Sequence, residues 1–168
     1  LNPIAIRVSN SVADTGPFAF LGDGDTSRVF WGFDLGGYYN FYDVAPLTVG
    51  VDVRTSDLHA NNASIHAFQV GLRLTGQPFA LPIKPYIEAA VGVGSTKAPT
   101  SAVNVRKGDF NIYGGIDYTL QKHVDLRVIE LGYGSLTTVS STTVGPGTTV
   151  AIPASKLVTF SSGLVFRF

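Results

Sequence analysis

The stretch Phe110–Gly134, FNIYGGIDYTLQKHVDLRVIELGYG, decides the fold. Phe110, Ile112, Ile116, Tyr118 and Leu120 alternate with Asn111, Tyr113, Gly115, Asp117 and Thr119, so apolar and polar side chains fall on opposite faces of an extended chain. Gln121-Lys122-His123 interrupts the pattern, and it resumes from Val124 to Leu136. This is a hairpin with a very short turn. A helix is excluded, because alternation at period two cannot build one apolar stripe at the helical period.

Outward from this hairpin the same rhythm predicts strands at Ile4–Ser9, Arg28–Asn40, Leu47–Arg54, Ile65–Leu74, Lys84–Gly94, Phe110–Leu120, Val124–Leu136 and Leu157–Phe168. The connections are Asn10–Ser27, Phe41–Pro46, Thr55–Ser64, Thr75–Ile83, Ser95–Asp109, Gln121–His123 and Thr137–Lys156. Long and short alternate, which gathers them at opposite ends. The predicted fold is therefore all-β, one domain over residues 1–168: a transmembrane antiparallel up-and-down barrel of eight strands with short periplasmic turns and long extracellular loops. The uncharged stretch Leu131–Ser155 is too rich in Ser, Thr, Gly and Pro to cross as a helix.

Composition agrees. Of 168 residues 45% are hydrophobic and only 14% charged, against about 25% charged in typical soluble domains. The 12 Lys+Arg balance the 12 Asp+Glu, which removes the basic footprint of a nucleic-acid binder. With no Cys there is no disulfide framework, Cys-ligated zinc or thiol nucleophile. The opening LNPIAIRV shows no leader pattern, which decides nothing about secretion.

The polar face identifies the lumen. It collects Gly32, Gly36, Gly50, Gly71, Gly92, Gly94, Gly115 and Gly163, while the apolar face has Gly37 and Gly114. Glycines inside a narrow barrel make room for large polar side chains from facing strands. Arg7, Arg54, Arg73, Lys84, Arg127 and Arg167 read as inward, as do Asp34, Asp52, Glu88, Asp117, Asp125 and Glu130. Six cations against six anions predict a paired ladder that plugs the lumen. Glu130 breaks strict alternation from Arg127, so a bulge between them or a place at the rim is expected. Tyr39, Phe41, Tyr42, Tyr118 and Phe168 at one end, with Phe110 and Trp31 towards the other, resemble two aromatic girdles. The competing reading, a soluble barrel with an aromatic core, leaves the glycines and loop asymmetry without a cause.

Phe160, Leu164, Phe166 and Phe168 share one face of the last strand, KLVTFSSGLVFRF. That segment resembles the C-terminal signal by which bacterial outer-membrane proteins are read by the barrel-insertion machinery. The hairpin containing Gly114, Gly115, Asp117, Tyr118, Arg127, Glu130 and Tyr133 is similar to the last hairpin of the small barrel family related to the transmembrane domain of outer membrane protein A. The close resemblance covers about the last 60 residues. It implies an eight-stranded outer-membrane barrel with no cofactor and usually no enzymatic activity. For such a barrel the expected contacts are outer-membrane lipids and, through loops or exterior, a protein partner in an envelope complex. The chain stops at the barrel, so tethering to the cell wall through it is not expected.

Ser64 and His66 lie two apart on one face and resemble the serine and histidine of lipid A deacylase barrels, in reversed order. A hydrolase also needs a group that orients the base. Glu88 and Glu130 read as inward, so a polar rim is the expectation and catalysis is not. His59 and His123 fall in connections and share no metal site. Asp23-Gly24-Asp25 falls short of a calcium loop, Asn62-Ala63-Ser64 matches a glycosylation sequon of no consequence in this setting, and Gly92–Lys97 lacks the spacing of a phosphate loop. The sequence thus predicts a structural or interaction protein of the bacterial outer membrane. A narrow gated channel, an outer-leaflet lipid hydrolase and a soluble ligand-binding barrel are the alternatives.

Overall fold

The computed structural model describes residues 1–13, 20–22, 24–76, 82–99, 104–138 and 154–168. Eight strands follow in order: β1 (Asn2–Ser9), β2 (Ser27–Val44), β3 (Leu47–Ala60), β4 (Ala63–Gly76), β5 (Ile83–Lys97), β6 (Asn104–Gln121), β7 (Val124–Thr138) and β8 (Ser155–Arg167). Each pairs antiparallel with its neighbour and β1 closes on β8. Closure leaves no free edge. The barrel departs from a pure meander at one place. Beyond the reach of β1 the far end of β2 meets β8 directly and in parallel, Gly37 with Phe166 and Tyr38 with Arg167.

Strands run further than alternation of apolar residues suggested, chiefly at the outward end. β2 and β6 have 18 residues each, about 60 Å of extended chain, whereas about 9–11 tilted residues cross the hydrocarbon. Ladder bonding continues past the bilayer because each strand still satisfies its neighbour's backbone. The expected connection Thr55–Ser64 is mostly strand in consequence. Only Asn61 and Asn62 remain as the turn, both at positive φ (43° and 67°), as a two-residue hairpin with a primed turn requires. Residues 98–103 link β5 to β6. The remaining outward connections are 10–26 and 139–154, and most of the Thr/Ser-rich one lies outside the described residues. At the other end sit the links 45–46, 77–82 and 122–123 together with both termini, where the Arg167 amide donates to the His123 carbonyl at 3.0 Å.

The outer surface is apolar round seven of the strands, with Leu35, Val53, Leu72, Val91, Ile112, Leu131 and Phe160 all exposed. Tyr39, Phe41, Tyr42, Tyr118, Phe168, Phe110 and Trp31 are exposed as well. A belt of this kind is costly in water and suits lipid. β1 is the exception. It turns Ile4, Ile6 and Val8 into the barrel and Pro3, Ala5 and Arg7 out. The assignment of Arg7 to the lumen is therefore corrected: the apolar stripe of β1 faces inward because the outward half of the lumen is itself apolar.

Candidate functional site

The lumen is filled in two zones. In the zone towards the short turns Arg54 is 3% exposed and lies 3.1 Å from Asp52, 2.8 Å from Glu88 and 3.0 Å from Glu130, with Asp34 at 4.0 Å. Glu130 also holds Arg127 at 2.9 Å and accepts hydrogen bonds from Tyr86 (2.6 Å) and Ser161 (2.8 Å). Asp117 joins Arg127 (3.3 Å) to Arg73 (2.6 Å). Asp125 gathers Lys84 at 3.2 Å, Arg167 at 3.7 Å and the Tyr38 hydroxyl. Aromatic faces complete the cation shells. Arg73 sits between Tyr38 and Tyr86, 4.2 and 3.6 Å from their ring centres, and Arg54 lies 4.2 Å from that of Tyr113.

Strand positions explain how this network assembles. Asp117 is the register partner of Arg127, and Gly115 that of Glu130. The register shift between Arg127 and Glu130 lets both side chains face inward although they are three apart. A Cβ on Gly132 would stand 2.6 Å from the Tyr113 ring, and one on Gly71 would stand 2.7 Å from Glu88. Those glycines create the space the large groups occupy. Of the residues read as inward, the structure places Asp34, Asp52, Arg54, Arg73, Lys84, Glu88, Asp117, Asp125, Arg127, Glu130 and Arg167 in these lumenal contacts and Arg7 outside. Sequence reading missed Lys107 and Asp109, both buried, because they fall beyond the apolar alternation of their strand. Their alternation with Asn111 and Tyr113 was the available signal.

Further out, Gln69 donates to Asp109 at 2.6 Å and accepts from Tyr113 at 2.9 Å, while Asn111 donates to Asp109 at 2.7 Å. Above this layer lies a cavity of about 20 Å³ between Gln69, Asp109, Ile6, Leu58 and Leu136, room for about one water. The outward zone is then apolar: Ile6, Val8, Phe30, Leu58, Ile65, Leu136 and Leu157 pack with Phe20 and Leu21 from the first loop. Phe20 stands 5.9 Å from Phe30, and the Lys107 ammonium 4.1 Å from the Phe20 ring. The loop enters the barrel mouth, a closure that sequence alternation cannot report.

Outside the barrel, the β3–β4 hairpin brings together four polar residues. Ser64 is opposite His59, and His66 is opposite Asp57. Asp57 Oδ1 lies 3.1 Å from both His59 Nε2 and His66 Nδ1, and the two rings are edge to face at 6.0 Å. Glu88 and Glu130 are inside, as read from sequence. The group that orients His66 is instead Asp57, which lies on β3 and not in the connection expected from sequence. His123 is in the opposite turn, far along the barrel from His59. Among the described residues no cluster of His, Asp or Glu is arranged to hold a metal ion. Asp25 pairs with Arg28 at 4.0 Å, and Asp23 lies outside the described residues. Gly92–Lys97 is β5 strand. Phe160, Leu164, Phe166 and Phe168 are all exposed on the outer face.

No family profile and no curated protein matches the chain. Among solved structures it is similar to Neisserial surface protein A (NspA), with 15% identity and a TM-score of 0.52 over 97% of this chain and 92% of that one. It is also similar to the outer membrane enzyme PagL, with 10% identity and a TM-score of 0.54 over 97% and 98% of the two chains. Both are eight-stranded outer-membrane barrels. The likeness shows the fold, and the exposed apolar belt locates it: this chain is an eight-stranded antiparallel β-barrel of the outer membrane.

Proposed function

We propose that this barrel is a closed structural and interaction protein that acts through its outward loops and exterior, including service as a subunit of a larger envelope assembly. One observation carries the reading: the lumen is sealed twice in series, by the Arg54-centred ion pairs and by the apolar zone under Phe20 and Leu21. An ion crossing it would have to break buried charge pairs and then cross an aliphatic layer. Purified protein in planar bilayers should show no discrete openings; sustained single-channel steps would overturn this reading in favour of the gated channel. Partners are to be sought by purification from native membranes and identification of co-migrating proteins. The outward row Phe160, Leu164, Phe166 and Phe168 supports reading by the insertion machinery during biogenesis, with no cofactor required.

A second reading is favoured by Asp57. With Asp57 holding His66 Nδ1, His66 Nε2 is left to take the proton of the Ser64 hydroxyl, two residues away on the same face, and Ser64 is left to attack an ester carbonyl of an outer-leaflet lipid. PagL is an outer membrane enzyme of the same fold, and it supports a hydrolase here by fold analogy only. Lipid A incubated with the barrel decides it. Loss of an acyl chain that disappears in Ser64→Ala would establish hydrolysis, whereas unchanged lipid A removes it.

A further inference from the structure

The small outward side chains of β1 leave a trough on the barrel exterior. Pro3 and Ala5 form its floor, while Trp31 and Phe33 of β2 and Phe160 of β8 form its walls, enclosing about 700 Å³, the size of a ligand site. Ala5 is in register with both Trp31 and Phe160, so the two rings flank it. Arg7 continues the same face of β1 two residues, about 7 Å, nearer the outward end. It is exposed, donates to Ser27 Oγ at 3.4 Å and makes no ion pair with any described residue. Lys156, exposed on β8 beside Ser9, is a second cation at that end. Asp57, on the β3 margin, is taken up by His59 and His66.

We propose that this trough holds one acyl chain of an anionic phospholipid, with its phosphate on Arg7 and Lys156. The polarity of β1 sets the direction. The strand starts at the short-turn end, so the order Arg7, Ala5, Pro3 descends from the outer rim into the belt, as a lipid descends from headgroup to tail. A cation on a lipid-facing surface is tolerated near the interface and disfavoured at mid-depth, and phosphate is the group that meets it there. An apolar trough next to positive charge that makes no ion pair among the described residues therefore fits a lipid better than a neutral or purely apolar occupant. The inference rests on the outer-membrane reading and adds a specific site to it.

Trp31 is the single tryptophan of the chain and lines the trough, so its fluorescence reports on lipid at this place on the barrel. The full chain is refolded into phosphatidylcholine vesicles doped with brominated-chain phosphatidylglycerol or, in parallel, brominated-chain phosphatidylcholine. The anionic lipid should quench Trp31 more at equal mole fraction, by an occupancy ratio of about fivefold for each cation engaged. Arg7→Gln with Lys156→Gln should reduce that ratio to parity, and Ala5→Phe, which fills the floor, should lower quenching by both lipids. Heat-modifiable gel migration shows that each variant has folded. Equal quenching by the two lipids, or a preference that survives the double substitution, would overturn the inference alone. A chain that ran as a soluble monomer without detergent would overturn the membrane reading and the lipid site with it.

Discussion

Between Asp125 and Glu130 the lumen is packed with ion pairs, whereas from Ile6 to Leu21 it is packed with aliphatic and aromatic side chains. Both zones are buried, but they tolerate change differently. A charge network needs every partner, because a carboxylate left alone in the interior has neither counter-ion nor water. An apolar zone loses only the contacts of the atoms removed, and its neighbours relax partly into the gap. The first zone is brittle and the second graded.

Arg54→Ala breaks the comparison most sharply. It strands Asp52 and Glu88 and leaves Glu130 with Arg127 as its one cation, and should cost about 3–5 kcal/mol, read as a fall in the urea midpoint of the folded, heat-modifiable form. Asp117→Ala should cost a similar amount, since it leaves Arg73 without its anion and Arg127 with Glu130 alone. In the apolar zone Leu58→Ala removes a fully buried side chain and should cost about 2–5 kcal/mol, the value set by how far Ile6 and Ile65 collapse. If Arg54→Ala cost less than about 1 kcal/mol, water would have to reach the carboxylates and the ion-paired zone would not be sealed.

Glycine replacements sharpen the contrast between lumen and belt. Gly132→Ala sets a methyl group 2.6 Å from the Tyr113 ring, which Arg54 covers and Gln69 holds through its hydroxyl. The ring cannot move alone, so overpacking should cost about 1–3 kcal/mol. Gly114→Ala, on the outer face of β6, meets nothing nearer than the Tyr86 carbonyl at 3.9 Å and should stay within about 0.5 kcal/mol of the parent. Paired urea titrations check both.

What was legible in the sequence follows from the same contrast. Strand number, chain direction and the alternation that turns Arg54, Glu88 and Asp117 inward were readable, because period two survives wherever the lumen is polar and the exterior apolar. β1 was misread for the converse reason. Where lumen and lipid are both apolar, Ile4, Ile6 and Val8 look alike from either side. Asp57 was hidden by a boundary error: Thr55–Ser64 lacks apolar alternation, yet the Asn61-Asn62 pair already marked a two-residue turn, which would have set His66 against Asp57 and Ser64 against His59. The burial of Phe20 and Leu21 depends on a loop folding back over long range, and no local pattern encodes it.

Arg7 gives the smallest expected effect and the cleanest separation of inside from outside. By composition it completed a six-against-six ladder; by position it stands on the outer rim, bonded at 3.4 Å to Ser27. A ladder member replaced by alanine would expose a buried anion and cost as much as Arg54. A rim cation in contact with headgroups or water has no such partner to strand, so Arg7→Ala should shift the urea midpoint by no more than about 0.5 kcal/mol. A loss on the scale of Arg54→Ala would mean that β1 sits with the opposite face inward, which would bring Pro3, Ala5 and Arg7 into the lumen and expose Ile4, Ile6 and Val8 to lipid.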